Sequence, residues 1–345
     1  MSAAQADLNR RYVLRERPAG DFQPNVLQRE AEPIPEPVAG QALVRNRYLS
    51  LDPSNRIWMG EGESYMPPVK LGEVMRGLGV GEVVASRTRK YPVGARVLGL
   101  LGWQDYALIS PTDAMVPLVL PRYVPAPMTK MLGALGVTGL TAYFGMLDIG
   151  RPKRGETVVV SAAAGAVGSI AGQIAKLRGA RVVGIAGSAE KCAWLTGELG
   201  FDAAICRRDG DWRPQLADAC PEGVDVDFEN VGGEIMEAVF ERLNHHARVV
   251  LCGLISGYGA DGRAAGSPNV SNLVMRRIRV QGFNVIDYLP RFPVATLHMG
   301  VLILLGRLRE RHTLVVGLDA APAALVDMFH GRNIGKLLVQ IDGTP

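Results

Sequence analysis

The sequence predicts an α/β protein in two parts: a mostly antiparallel β domain, then a domain built on a doubly wound parallel sheet. Three observations predict it. Over roughly the first 125 residues, short β-prone runs are broken by proline and glycine, with no long 3.6-residue period. From about Met128 onward, apolar runs alternate with helix-compatible segments, the rhythm of a parallel sheet covered on both faces. The first of those apolar runs enters a glycine-containing turn that opens a helix.

In the first part, 42–48, 79–86, 95–101 and 103–109 read as strands, with turns marked by Pro33, Pro35, Pro37, Pro67, Pro68, Pro92 and Gly94. A barrel-like closure suits such strands. Helix-compatible sequence at 129–145 leads to a loop at 150–155. Six strands are then expected at 157–162, 181–185, 202–206, 224–228, 248–252 and 278–283, with helices at 167–178, 189–199 and from 234. A helix over 291–309, the segment 317–330 and a strand at 336–341 that returns to the first domain complete the chain. The expected domains are 1–125, 126–299 and a returning segment, 300–345. At roughly 100–200 residues per domain, two domains suit the length.

Composition excludes several classes. The net charge of +4 is too mild to argue for nucleic acid, and the basic clusters at 151–154 and 276–279 read as solvated surface. The longest apolar stretch, at 301–305, falls far short of the roughly 20 residues of a membrane span. The first 20 residues hold no apolar run of the signal-peptide kind. The four cysteines, Cys192, Cys206, Cys220 and Cys252, form no CxxC pair. Together these predict a cytoplasmic protein in a reducing compartment. No Cys or His precedes Cys192, so a zinc site in the first half would lack its usual ligands. His245 and His246 fall at the end of a predicted helix and read as surface or capping residues. Cys192 and Cys252 read as small hydrophobes.

The glycine turn is the strongest local signal. Against G-x-G-x-x-G, Gly165 and Gly168 match the second and third glycines, and Ala163 stands at the first. Gly165 lets the backbone approach a pyrophosphate, and Gly168 lets the helix pack close to its strand. The helix start adds free N–H groups and a positive dipole end, so Ala164, Gly165, Ala166, Val167 and Gly168 form a candidate phosphate cradle. A tight strand–helix turn without a ligand is the other reading.

An NAD enzyme of this kind carries an acid about 20 residues on, at the end of the second strand. Here no acid stands at Ala186 or Gly187. Ser188 is placed to cap the next helix. Lys191 lies in its first turn, where the helix dipole disfavours a cation. Ser188 and Lys191 therefore read as grips on a 2′-phosphate, with Arg207 and Arg208 adding charge, which favours NADP(H). An ordinary exposed helix start is the alternative.

These residues resemble the medium-chain dehydrogenase/reductase superfamily, and within it the zinc-independent group of prostaglandin reductases, alkenal double-bond reductases and curcumin reductase. The resemblance runs along nearly the whole chain. It rests on LSLDP at 49–53 with Arg56, GWQDY at 102–106, GVTGLTAY at 136–143, SAAAGAVGS at 161–169 and GQIAK at 172–176. It continues in AGSAEKC at 186–192, ENVGG at 229–233, CGLISGY at 252–258, QGF at 281–283 and NIGK at 333–336. It implies a GroES-like β domain plus a Rossmann domain, with the active site in a cleft between them, and a homodimer. It implies that Lys191 meets the NADP 2′-phosphate, and that Asn230, Gly253 and Ser256 fall in segments lining nicotinamide and ribose. Gly187, Cys252, Ile255, Phe283 and Asn333 join the implied cofactor contacts. Tyr258 matches a tyrosine that meets the substrate oxygen, and Ser54 and Arg56 fall at the implied substrate pocket. Three departures stand out. The family often has Asp-Pro-Tyr-Met-Arg where this chain has Ser54 and Asn55 in the middle. It often has a tyrosine where Arg207 stands. The stretch 259–269 lacks the usual proline-rich loop.

The implied reaction is hydride transfer from the nicotinamide to the β-carbon of an α,β-unsaturated ketone or aldehyde. Tyr258 then donates a hydrogen bond to the carbonyl oxygen as charge develops there, or else merely packs its loop. Two rival readings remain: a quinone oxidoreductase, and a non-catalytic NADP-binding protein.

Overall fold

The computed structural model describes residues 8–121, 127–258 and 269–341. In chain order the elements begin with β1 (Leu8–Leu14), β2 (Leu27–Pro33), β3 (Ala42–Ser50), α1 (Ser54–Met59), β4 (Gly79–Ser86), β5 (Arg96–Gly99), β6 (Tyr106–Ile109) and β7 (Leu118–Val119). Then come α2 (Met128–Leu132), α3 (Val137–Phe144), β8 (Thr157–Val160), α4 (Ala166–Leu177), β9 (Arg181–Ala186), α5 (Ala189–Gly197), β10 (Ala203–Cys206) and α6 (Arg213–Ala219). The remainder is β11 (Val224–Glu229), α7 (Gly233–Phe240), β12 (Leu243–Leu251), α8 (Val270–Met275), β13 (Arg279–Gly282), α9 (Phe292–Leu304), β14 (His312–Val316), α10 (Ala321–Phe329) and β15 (Lys336–Gln340).

The chain forms two compact units. One takes the residues up to Leu132, Thr313–Arg332 and those from Leu337 on; the other takes Gly133–His312 and Asn333–Lys336. The expected boundary at 125/126 lies outside the described residues. The expected one at 299/300 falls inside α9, and the chain stays in the second unit until His312. The cause is packing: Ala295 of α9 is buried with Leu140 and Phe144 of α3.

In the first unit, β14, β15, β3, β4, β5 and β7 form a sheet in that order, with β6 also on β3. The β15–β3, β3–β4, β3–β6, β4–β5 and β5–β7 pairs are antiparallel. Leu338 of β15 sits opposite Ser50, so the tail closes onto this sheet. A separate ribbon pairs β1 with β2. Trp103, Met75, Leu49, Met59, Leu325 and Val339 share one core there. At about 1.5–3 kcal/mol per large apolar side chain removed from water, that core holds the unit together.

In the second unit the strand order is β10-β9-β8-β11-β12-β13, and every registered pair is parallel. The four residues of β8, TVVV, are all buried, which is why that strand reads as an unbroken apolar run. One sheet face packs Val159, Val183 and Val249 against Leu216 of α6 and Ile235 and Val239 of α7. The order reverses between β8 and β11, and a doubly wound sheet opens a ligand crevice at the carboxyl ends flanking such a reversal.

One expectation is corrected. His245 and His246 lie in β12 rather than at a helix end, because α7 stops at Phe240 and β12 begins at Leu243. Both are exposed, and His246 takes a φ of 62°.

Candidate functional site

Three loops meet beyond the carboxyl ends of β8, β11 and β12. After β8, Gly165 N–H donates to Ala162 O at 2.8 Å, closing the turn. Gly165 is the N-cap of α4 and supplies no side-chain cap. The first amides of α4, on Ala166, Val167 and Gly168, therefore have no intrahelical acceptor. Gly168 is required by close approach: a Cβ there would lie 2.6 Å from Ala162 O. Ala162 itself takes a φ of 45°, a left-handed conformation uncommon outside glycine.

The segment 333–336 lies against this turn. Gly335 N–H donates to Ala164 O at 2.8 Å, and Gly335 bridges Gly165 in parallel fashion. Asn333 Nδ2 donates to Gly335 O at 2.9 Å. Asn333 is thus brought beside the glycine turn from more than 160 residues away in the chain.

At the end of β9, Ser188 caps α5, its Oγ accepting Lys191 N–H at 3.4 Å. Lys191 is buried. Burial makes its ammonium give up its proton more readily than usual, and the charges of Arg208 and Arg207 add to this while Glu190 opposes. Arg207 N–H continues the strand pairing to Ala186 O at 2.9 Å. A Cβ on Gly187 would meet nothing within 4 Å, so the approach to Ser188 is open. Three cations gathered at an open helix start suit a dianionic phosphate, so the residues present fit a 2′-phosphorylated dinucleotide.

The loops after β11 and β12 are bonded to each other. Cys252 and Gly253 N–H both donate to Glu229 O, at 2.9 and 3.2 Å. Ile255 N–H reaches Asn230 O, and Ser256 binds Val231 O through both its amide, at 3.0 Å, and its Oγ, at 2.6 Å. Tyr258 hydroxyl accepts Leu254 N–H at 3.3 Å. That bond fixes the oxygen and leaves the hydroxyl hydrogen able to donate. Burial raises the Tyr258 pKa, and the Leu254 bond opposes it, so the phenol keeps its proton at neutral pH. Burial pushes the Cys252 thiol up to about 12, which makes it inert.

Three other predicted site residues, Phe283, Ser54 and Arg56, lie outside these joined loops. Phe283 packs beside α3, where a Cβ on Gly145 would come within 2.8 Å of its ring, and it makes an edge contact with Tyr288. Ser54 and Arg56 belong to the first unit. The Arg56 guanidinium donates to Pro18 O at 3.2 Å and Gly20 O at 2.6 Å, so its hydrogen-bonding capacity serves the loop before β2. Within the stretch 259–269, residues 259–268 lie outside the described set.

Sequence reasoning quoted Ser161 and Glu229 inside its motifs but gave neither a role. Ser161 Oγ donates to Glu229 Oε1 at 2.7 Å, and Glu229 is fully buried. The available signal was the run VDVDFE, whose alternating acids lie on a strand buried on both sides.

A parallel sheet reversing between β8 and β11, with a glycine turn and a capped cation cluster beside it, defines a dehydrogenase/reductase-type nucleotide-binding unit. The family model described as "N-terminal domain of oxidoreductase" matches residues 10–117, and that described as "Zinc-binding dehydrogenase" matches 166–297. The chain belongs to the medium-chain dehydrogenase/reductase superfamily. It is 42% identical over 98% of its length to an NADPH-dependent curcumin reductase of Escherichia coli, covering 99% of that protein. It is 38% identical to a 2-alkenal reductase (NADP(+)-dependent) of Nicotiana tabacum, over 88% of each chain. The structure of CurA in complex with NADPH from Vibrio vulnificus is 42% identical and superposes with a TM-score of 0.91, over 97% of this chain and 100% of that one. The zinc in the second family description does not fit this chain. No Cys or His precedes Cys192, and among the described residues no group of three or more His, Cys, Asp or Glu is placed to hold a metal.

Proposed function

We propose that the chain is an NADPH-dependent reductase of the carbon–carbon double bond in α,β-unsaturated ketones or aldehydes. The observation that carries this reading is the Tyr258 hydroxyl, held at the joined β11 and β12 loops with its proton kept and free to donate. The end-to-end identity to curcumin and alkenal reductases supports the reaction type.

When bound, NADPH supplies the hydride that reaches the β-carbon. The chain's own residues do the rest. The amides of Ala166, Val167 and Gly168, behind Ala164 and Gly165, receive the diphosphate. Ser188, Lys191 and Arg207, with Gly187 leaving room, hold the 2′-phosphate. Asn230, Cys252, Gly253, Ile255 and Ser256 line the nicotinamide side, and Asn333 and Phe283 complete the cofactor set. Ser54 borders the substrate, while Arg56 acts by fixing the loop it binds. Tyr258 donates a hydrogen bond to the substrate carbonyl oxygen as negative charge gathers there, and the α-carbon takes its proton from water.

The protein is proposed to work as a cytoplasmic homodimer. Its four cysteines are free, which suits a reducing compartment. Among the described residues no helix is long and apolar enough to cross a membrane. Val294, Leu297, Val301 and Leu304 form an exposed stripe on α9, next in sequence to the edge strand β13. A second copy related by a two-fold axis would cover that stripe.

The test is NADPH oxidation with a small enone as acceptor and a metal chelator present, with NADH in parallel. Chelator-resistant formation of the saturated ketone, faster with NADPH, is expected. Turnover of quinones alone, or tight NADPH binding with no turnover, would overturn the reading. Tyr258→Phe is expected to lower kcat/KM roughly 100-fold while NADPH affinity stays unchanged; an unaltered kcat/KM would remove Tyr258 from the donor role.

A further inference from the structure

Glu229 ends β11 with its side chain fully buried, and one of its oxygens gathers the surrounding loops. Oε1 accepts Ser161 Oγ at 2.7 Å, Val231 N–H at 2.5 Å and Gly232 N–H at 2.8 Å. Ser161 Oγ in turn accepts Asn230 N–H at 2.7 Å, and Asn230 Nδ2 returns a bond to Ser161 O at 2.7 Å. The backbone oxygen of Glu229 holds Cys252 and Gly253. One residue thus ties the loop after β8, its own loop and the loop after β12.

From this knot the bonds run outward. Val231 O takes both donors of Ser256, and Asn230 O takes Ile255 N–H. The turn Ile255–Gly257 then delivers Tyr258. A Cβ on Gly253 would lie 3.1 Å from the Tyr258 hydroxyl, so the fit there is close. Burying a carboxyl group costs free energy unless donors surround it. Here three donors converge on a single oxygen, and each belongs to a segment whose position matters for the reaction. The 2′-phosphate grips, Ser188 and Lys191, stand on a different loop, after β9.

We propose that Glu229, through Ser161 and the Val231–Gly232 amides, is the positioning residue that sets the nicotinamide half of the site and the Tyr258 hydroxyl, while leaving the 2′-phosphate half untouched. The proposal rests on the NADPH reading above. It divides the site in two: one half built around a buried acid, the other around the cations Lys191, Arg207 and Arg208.

The division can be measured with two nucleotides. Dissociation constants for NADPH and for adenosine 2′-monophosphate, which carries only the 2′-phosphate half, are compared in wild type, Glu229→Ala, Glu229→Gln and Ser161→Ala. Glu229→Ala and Ser161→Ala are expected to weaken NADPH roughly tenfold and to lower kcat, with the monophosphate changed less than about twofold. Glu229→Gln keeps an acceptor oxygen in place and is expected to recover most of the NADPH affinity. Ser161→Ala removes a single hydroxyl, so it reports even if Glu229→Ala does not fold. Equal losses for both nucleotides, or no loss for either, would overturn the proposal. A wild type that binds neither nucleotide would instead overturn the NADPH reading, and the positioning role with it.

Discussion

β11 and β13 lie in one sheet, separated only by β12, yet they follow opposite rules. β11 lies at the centre and buries two acids, Asp227 and Glu229, with no exposed surface on either. β13 is the edge strand, largely exposed, and α9 beyond it turns Val294, Leu297 and Leu304 to solvent at 71%, 70% and 80% exposure. Polar groups inside and large apolar groups outside are each informative where the reverse is ordinary. At the centre, Glu229 gathers the loops around it while Asp227 has no hydrogen-bond partner among the described residues. At the edge, the apolar groups ask for a partner.

The largest expected effect tests how rigid the centre is. Gly335 has a φ of 65°, and a Cβ there would fall 1.9 Å from Arg311 O. Gly335→Ala must move the backbone that bridges Gly165, so it is expected to cost about 3 kcal/mol or more in urea unfolding. A loss below about 1 kcal/mol would show that the 333–336 segment is not tied to the glycine turn. Next comes the cation cluster. Lys191→Ala is expected to weaken NADPH roughly 10–100-fold and to leave NADH nearly unchanged, read as the ratio of kcat/KM values. An equal fall for both cofactors would move the phosphate grip elsewhere.

The centre and the edge also differ in how far the sequence reveals them. The six parallel strands are legible because buried strands such as TVVV read as apolar runs. Gly165, Gly168 and the Ser188 cap are legible because their geometry is local. The β1–β2 ribbon is not: its sequences, LNRRYVL and LQREAEP, mix charge with apolar residues, and the ion pairs of Arg11 with Glu30 and Glu32 form only across the two strands. His245 and His246 are misread for a similar reason, since the polar first half of β12 carries no strand signal and the ladder shifts register opposite it. Glu229 is hidden by distance, because its partner Ser161 stands 68 residues earlier. Arg56 shows the converse: its motif is plain in the sequence, but its bonds to Pro18 and Gly20 depend on a loop that the motif does not contain.

Asp227 sharpens the comparison at the centre. Both its oxygens are buried with no hydrogen-bond partner among the described residues, and its registered neighbours are Val159 and Val249. Burial first, and then the charge of Glu229, push its carboxyl well above the ordinary carboxylate range. A raised folded-state pKa gives stability that is present at low pH and is lost as pH rises through that value. Asp227→Leu is therefore expected to stabilise the protein by about 1–3 kcal/mol at neutral pH and to flatten the fall in stability that begins as pH rises above the ordinary carboxylate range. Urea unfolding from pH 5 to pH 9, on the order of one point per pH unit, reads both effects. A destabilised variant would mean that Asp227 has a partner that only the working enzyme provides.

The edge should give the smallest change to the fold and a change in assembly instead. Leu297 sits in the middle of the α9 stripe and is 70% exposed, so a charge there meets water in a lone chain. Leu297→Glu is expected to leave secondary structure intact and to change the stability of the isolated chain by no more than about 0.5 kcal/mol. In a dimer built over that stripe, the same glutamate would be buried opposite its own copy across the two-fold axis, like charge against like. Light scattering should then find a dimer for wild type and a monomer for Leu297→Glu. A variant that stays dimeric would place the contact on another face. A wild type that is already monomeric would mean that the apolar edge, unlike the polar centre, has no partner of its own kind.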